Sequence, residues 1–195
     1  MSTKQVIVIA GPSGSGESTV TQNIIDLYPS RVKRLVTATT RPPRAGEKSG
    51  TDYYFFSKDE FENEKERGNI LESTYIKNRD TYYGTYAPDL EEKIASGNIV
   101  IVNPDLVGAR YYKDNYAAVT IFIVPEDVGA LERRIRERSP DLSEKEIAHR
   151  KENAVREMQK EQSFYDYIVV NADGKLDEAV QRVVAILKKE GYNLE

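Results

Sequence analysis

The sequence predicts an α/β fold in which a parallel sheet is flanked by helices. Short runs of apolar, mostly β-branched residues recur at Val6–Ala10, Ile99–Val102 and 119–124, and strands of this kind are typically buried on both faces. The segments between these runs carry helical patterns, and strands that alternate with helices imply right-handed crossovers within one parallel sheet. The length of 195 residues suffices for one domain, or for a core with inserted lobes.

Composition removes several functional classes. The chain has no cysteine and a single histidine, so disulfides, thiolate chemistry, cysteine–zinc sites and a histidine-based metal cluster are excluded. A net charge of −4 gives no reason to expect a nucleic-acid or membrane partner. No apolar run approaches the length of a membrane span, and residues 1–4 lead directly into a strand, so a cytoplasmic protein is expected.

A loop rich in glycine and serine follows the first strand and precedes a predicted helix over residues 18–27. Its sequence, GPSGSGES at residues 11–18, fits the phosphate-binding pattern G-x-x-x-x-G-K-[ST] except that Glu17 stands where the pattern has lysine. Glycines let backbone N–H groups wrap around a phosphate at a helix N-terminus. Ser18 supplies the hydroxyl that a phosphate-bound Mg²⁺ would use, whereas an ordinary Gly/Ser turn is the less favoured alternative.

The next segment predicts a small β-rich lobe inserted into the core. Residues 34–40 are predicted as one strand, which the prolines and glycine of residues 41–47 interrupt. Residues 53–56 resemble a strand, Ser57 and Glu60 form a capping box before a helix over 58–67, and 70–86 suggests short strands and turns. The lobe therefore covers residues 37–86.

The remaining chain returns to the core pattern. Helices are predicted over residues 88–96, within 125–162 and over 174–190, with a last strand at 167–170. In such folds ligands bind beyond the carboxyl ends of the strands, so the loops after Ala10, Thr40, Val102 and Val170 are expected to gather around the site.

Three groups of side chains could carry chemistry. Arg41 and Arg44, stiffened by prolines, suit a phosphate, with the Tyr53 hydroxyl nearby, although two solvated surface arginines are at least as plausible on these residues alone. A carboxylate at Glu72 beside Thr85 could accept N–H groups from the edge of a guanine. A run of arginines could stabilise a transferring phosphoryl group, although some must be surface residues paired with Glu132, Glu137, Glu144 or Glu146; the run comprises Arg133, Arg134, Arg136, Arg138 and Arg150.

Other polar and aromatic residues are expected to be structural. His149 lies in a polar helix without an obvious partner and is predicted to be a surface residue. Tyr111, Tyr112 and Tyr116 are predicted to serve packing or to lie at the surface.

Taken together, these motifs resemble guanylate kinase over nearly the whole chain. The family's pattern TTRxPRxGExxGxDYxF stands at residues 39–55 as TTRPPRAGEKSGTDYYF, its GPSG at 11–14, its YYG at 82–84 and its adenine-side asparagine at Asn171. The resemblance implies transfer of a phosphoryl group from ATP to GMP with Mg²⁺ as cofactor, in a monomer or homodimer. It also implies a core (1–36, 87–135 and 157–195), a GMP-binding lobe (37–86) and a helical lid (136–156).

The resemblance also assigns roles to individual residues. It gives the transfer to four arginines, namely Arg41, Arg134, Arg138 and Arg150. It gives GMP binding to Thr37, Arg41, Arg44, Tyr53, Glu72, Tyr83, Thr85 and Asp105. It gives the ATP phosphates and base to Gly11, Ser13, Gly14, Ser15, Gly16, Glu17, Ser18, Thr19 and Asn171, with Ser18 as the Mg²⁺ ligand.

The sequence departs from the family at three places. Glu17 replaces the loop lysine, while Asn103 and Val107 replace an aspartate and a glutamine of the pattern LDIDxQG. A negative charge near the phosphates is expected to slow transfer by orders of magnitude and to leave the GMP side much less affected. Two alternatives stay open: a catalytically inactive module that binds GMP or a phosphorylated partner, and a kinase that acts on another monophosphate.

Overall fold

The computed structural model describes residues 4–195, and its larger sheet forms the core. This sheet has five strands in the order β2-β7-β1-β8-β9, and every neighbouring pair is parallel. Its strands are β1 (Val6–Ala10), β2 (Val32–Arg34), β7 (Ile99–Val102), β8 (Val119–Pro125) and β9 (Tyr167–Asn171). The predicted α/β class with a parallel sheet between helices is thereby confirmed.

Helices cover both faces of this sheet because its central strands are apolar on both sides. All five residues of β1 are buried, as expected for a central parallel strand. The helices are α1 (Glu17–Leu27), α2 (Lys58–Glu66), α3 (Ala87–Ala95), α4 (Leu106–Tyr116), α5 (Val128–Arg138), α6 (Glu144–Glu161) and α7 (Leu176–Lys189). Side chains of α1 and α7 pack on one face of the sheet and those of α3 and α4 on the other. None of the described helices is long and apolar enough to cross a membrane.

A second, smaller sheet lies within residues 37–86, the segment predicted as a β-rich lobe. It has four strands in the order β4-β3-β6-β5, which are β3 (Ala38–Thr39), β4 (Tyr54–Phe55), β5 (Ile70–Ile76) and β6 (Thr81–Tyr86). A 3-10 turn, Lys77–Arg79, lies between β5 and β6. The predicted capping box of α2 is present, since Ser57 and Glu60 bond reciprocally.

The single strand predicted over residues 34–40 is wrong. β2 ends at Arg34 and β3 begins at Ala38, and the two strands belong to different sheets. Leu35 still donates its N–H to the carbonyl of Ile101 at 2.9 Å, but the N–H of Val36 donates to the Asp89 carboxylate at 2.9 Å instead of to a strand. A buried carboxylate thus satisfies the backbone where the chain crosses between sheets.

Asp89 connects the two sheets. It is only 5% exposed, and besides Val36 it accepts a hydrogen bond from the Tyr54 hydroxyl at 3.2 Å and pairs with the Lys93 ammonium. One carboxylate on α3 therefore holds the crossing segment, a strand of the second sheet and its own helix together.

Two further features bear on the site. No helix is predicted from the sequence where the structure has α4. Its N-cap is Asp105, and the N–H of Gly108 donates to Asp105 Oδ1 at 3.0 Å. The segment 136–156, predicted as a lid, comprises the end of α5, a short connection and most of α6. These two helices pack through Leu131 and Ile135 against Ile147 and Ala154.

Candidate functional site

The glycine-rich loop between β1 and α1 makes tight turns that depend on two of its glycines. Gly14 and Gly16 adopt φ values of +92° and +86°, in the left-handed region that favours glycine. A Cβ on Gly16 would lie 2.2 Å from Nδ2 of Asn171, and that nitrogen donates to the carbonyl of Ser15 at 2.9 Å. The predicted asparagine therefore supports the loop from the end of β9. Residues 11–19, with Arg134 and Arg138, line a cavity of about 370 Å³, hereafter the loop cavity.

Glu17 begins α1 and lines the loop cavity. Its Oε1 is shielded from solvent and has no hydrogen-bond partner among the described residues. Burial raises the pKa of Glu17 to about 7, with a contribution from Glu157, against the opposing effect of Arg34 and Arg138. An acid without a partner at this position disfavours a bound polyphosphate whenever it is ionised.

Ser18 lies in the first turn of α1 and also lines the loop cavity. Within residues 4–195 no cluster of three or more His, Cys, Asp or Glu side chains could hold a metal ion. Mg²⁺ prefers oxygen ligands and is commonly held by one or two protein groups together with substrate phosphates. The Ser18 hydroxyl at the loop cavity fits that arrangement.

A larger cavity of about 680 Å³ opens between the two sheets, and three tyrosines line it, so it is called the tyrosine cavity. Six of the eight residues that the resemblance assigns to GMP line this cavity, namely Thr37, Tyr53, Glu72, Tyr83, Thr85 and Asp105. The rings of Tyr53 and Tyr83 meet edge to face with centroids 5.9 Å apart. The tyrosine cavity thus gathers hydroxyl and carboxylate groups of the second sheet together with Asp105 and Tyr112 of α4 and its N-cap.

The Glu72 carboxylate forms part of a polar cluster in this cavity. The Thr85 hydroxyl donates to Glu72 Oε1 at 2.6 Å and lies 2.5 Å from the hydroxyl of Tyr112. Burial raises the pKa of Glu72, and Asp105 adds to the effect. A Cβ on Gly108 would lie 3.4 Å from the Glu72 carboxyl group, so glycine leaves room for this side chain beside α4.

Arg41 and Arg44 differ in their surroundings. Glu47 accepts two hydrogen bonds from the Arg41 guanidinium, at 2.7 and 2.9 Å, and the N–H of Arg44 donates to the same carboxylate at 2.6 Å. The Arg41 guanidinium holds the pKa of Glu47 at about 2. The Arg41 guanidinium lies over the ring of Tyr53, and Arg41 does not line the tyrosine cavity.

A third cavity, of about 470 Å³, is lined by five arginines together with Ser13 and Gly14 of the loop. These arginines, Arg44, Arg79, Arg134, Arg138 and Arg150, define the arginine cavity. The Arg134 guanidinium already has protein partners, because it donates to the Asp173 carboxylate at 2.7 Å and to the carbonyl of Asn171 at 2.8 Å. The predicted transfer arginines Arg138 and Arg150 line the same cavity, while Arg133 and Arg136 form ion pairs with Asp173, Glu126, Glu132 and Glu144.

Sequence reasoning missed three residues of these cavities. Tyr112, expected to be packing or surface, is 1% exposed and bonds Thr85 in the tyrosine cavity. Thr74 lines that cavity with a buried Oγ1 that has no partner among the described residues, and Arg79 lines both the tyrosine cavity and the arginine cavity. The alternation of β5 places Thr74 on the same face as Glu72, which was the available signal.

The chain is similar to known proteins over nearly its whole length. The family model described as Guanylate kinase matches residues 3–190. The guanylate kinase of Synechocystis is 41% identical over 187 residues, covering 95% of this chain and 94% of that protein. The guanylate kinase of Geobacter metallireducens is 38% identical over 184 residues, covering 94% and 87%. A crystal structure of guanylate kinase from Anaplasma phagocytophilum superposes with a TM-score of 0.73 at 27% identity, covering 99% of this chain and 89% of that one.

The parallel sheet, the glycine-rich loop at the start of α1 and the adjoining arginine cavity define a nucleotide kinase of the P-loop class. Within that class the chain belongs to the guanylate kinase family.

Proposed function

We propose that this protein transfers the γ-phosphoryl group of ATP to GMP, giving ADP and GDP, and that Glu17 slows the reaction. The observation that carries the proposal is the Glu72–Thr85 hydrogen bond of 2.6 Å inside a cavity that adjoins the arginine cavity. Glu72 can accept two N–H groups from the edge of guanine, and Thr85 keeps the carboxylate in place. A guanine in the tyrosine cavity would then direct its phosphate towards the arginines.

The reaction requires two phosphate groups to meet. An oxygen of the GMP phosphate attacks the γ-phosphorus of ATP, the new O–P bond forms, and the bond from that phosphorus to the bridging oxygen of ADP breaks. Arg138 and Arg150 line the cavity between the loop and the tyrosine cavity, where they would stabilise charge on the equatorial oxygens. Arg134 would act through its bonds to the loop carbonyls, since Asp173 already pairs with its guanidinium.

The donor nucleotide would lie along the loop cavity, with its phosphates at the N–H groups that begin α1. Ser18 would hold Mg²⁺ jointly with these phosphates, and the ion would supply charge neutralisation there. We place the lid function in residues 136–156, which carry Arg138 and Arg150. A cytoplasmic setting and a monomeric or homodimeric state stay predictions.

A GMP-dependent assay of ADP release tests the proposal directly. ADP should appear slowly with ATP, Mg²⁺ and GMP together, and its rate should fall to background when GMP is omitted or replaced by AMP. Equal rates with GMP, AMP, CMP and UMP would contradict a guanine-reading role for Glu72 and Thr85.

One observation favours a second candidate, an inactive module that binds GMP or a phosphorylated partner. Glu17 places a carboxylate in the loop cavity, where the donor phosphates would lie, and its Oε1 has no hydrogen-bond partner among the residues that the structure describes. Calorimetry separates the two candidates: GMP binding together with slow ADP release supports the enzyme. GMP or phosphopeptide binding with no ADP release above background supports the module.

A further inference from the structure

The turn between β5 and β6 carries an arginine at the junction of the tyrosine cavity and the arginine cavity. Arg79 is the last residue of the 3-10 turn Lys77–Arg79 and lines both the tyrosine cavity and the arginine cavity. The other residues that line both are Asn153 and Glu157 of α6. Arg79 is therefore the cationic side chain placed where the contents of the two cavities would meet.

The turn that carries Arg79 is held on both sides. The Thr81 hydroxyl donates to the carbonyl of Arg79 at 2.8 Å. Asp80 adopts φ 50° in the left-handed region, and its carboxylate accepts a hydrogen bond from the Tyr75 hydroxyl at 2.7 Å and pairs with the Lys58 ammonium. The Asp80 carboxylate is thus already bonded to other residues, and these contacts hold the backbone at Arg79 in place.

The guanidinium of Arg79 has no protein partner in the part of the chain that the structure describes. Across residues 4–195 its side chain forms neither a hydrogen bond nor an ion pair, and the same holds for Arg44, Arg138 and Arg150 in the arginine cavity. Glu157 supplies a carboxylate to the lining of this cavity, but the four arginines without a protein partner still leave an excess of positive charge there. Such an excess attracts an anion, and planar guanidiniums match the oxygens of phosphate. Arg41, by contrast, is occupied by Glu47 and lines neither cavity.

We propose that Arg79 binds the phosphate group that enters the arginine cavity from a nucleotide seated in the tyrosine cavity. The inference rests on the proposed function, in which that nucleotide is GMP. Arg79 recognises the phosphate and leaves the base to Glu72 and Thr85. It thereby adds a phosphate-binding residue, carried by the second sheet, to the arginines of α5 and α6.

Calorimetric titration with GMP and with guanosine tests this assignment. Arg79→Ala should weaken GMP binding by about 10- to 100-fold, the range expected when a charge-assisted bond is lost, and should leave guanosine binding unchanged. Arg79→Lys should recover part of the loss, because charge remains while the planar fork does not. Lys77→Ala is the matched control, since Lys77 is an exposed cation in the same turn that lines neither cavity.

Each outcome separates this inference from the proposed function. If the parent chain binds neither GMP nor guanosine, the proposed function fails and the role of Arg79 fails with it. If the parent binds GMP and Arg79→Ala matches Lys77→Ala, only the role of Arg79 is overturned. An equal loss of affinity for GMP and for guanosine would show a structural effect and would also overturn the role of Arg79. Arg79→Gln, with thermal unfolding midpoints measured for every variant, checks that the turn stays folded.

Discussion

Replacing Glu17 by lysine should accelerate phosphoryl transfer strongly. Glu17 begins α1 and lines the loop cavity, and its Oε1 has no partner within residues 4–195, so a lysine there would face the same space. The substitution exchanges a group that burial keeps partly protonated, with a pKa of about 7, for a cation beside the donor phosphates.

The magnitude follows from the change in charge. One unit interaction at about 4 Å and an effective dielectric constant of about 20 is worth about 4 kcal/mol. If Glu17 is neutral, its replacement by lysine gains one such interaction with the donor phosphates. Because about 1.4 kcal/mol corresponds to tenfold in rate, the rate of phosphoryl transfer should rise about a thousandfold. Starting from the ionised form, the increase is larger still.

A coupled assay of ADP release under saturating GMP measures this change in Glu17→Lys. Glu17→Gln is the matched control, because it keeps the size of the side chain and removes its charge, so it should fall between the parent and the lysine variant. Calorimetry should give nearly the same GMP affinity for all of them. Equal rates in the parent and the lysine variant, with equal unfolding midpoints, would refute the electrostatic reasoning.

Three further predictions concern the cavities and the loop. Thr85→Val should weaken GMP binding about tenfold, because Glu72 loses a hydrogen bond, and calorimetry with GMP and with IMP as a comparison ligand measures this. The pKa of Glu157 is raised to about 7, chiefly by burial and then by Glu161, so its contribution to stability is present below about pH 4.5 and is lost as pH rises through about 7. The free energy of unfolding, measured in urea, should therefore fall less between about pH 4.5 and about 7 in Glu157→Gln than in the unsubstituted protein. The same pH dependence in both proteins would contradict the raised pKa. Gly16→Ala should destabilise the fold by about 1–3 kcal/mol more than Gly46→Ala, since both glycines have positive φ but only Gly16 would place a Cβ against a neighbouring side chain.

Local patterns in the sequence predicted the core well because their causes are local. The apolar runs of β1 and β7 and the capping box of Ser57 depend on side-chain spacing and on neighbours a few residues away. The crossing between sheets could not be predicted in this way. Its cause is Asp89, which lies 53 residues from Val36 in the chain.

Part of the candidate site could likewise be predicted from the sequence, and part could not. Glu72 and Thr85 could be proposed from their types and from the resemblance, and the structure joins them by a hydrogen bond. The pairing of Arg41 with Glu47 and the position of Arg79 at the junction of two cavities depend on how a turn and a loop fold. The residue roles themselves stay predictions until the binding experiments are made.

The Asp89 contacts have a consequence for unfolding. Separating the second sheet from the core removes the Tyr54 hydroxyl from the Asp89 carboxylate, and a hydrogen bond to a charged group contributes about 1.5–3 kcal/mol. The same carboxylate also holds the segment that joins the two sheets, through the N–H of Val36. We therefore expect the two sheets to unfold as one cooperative unit.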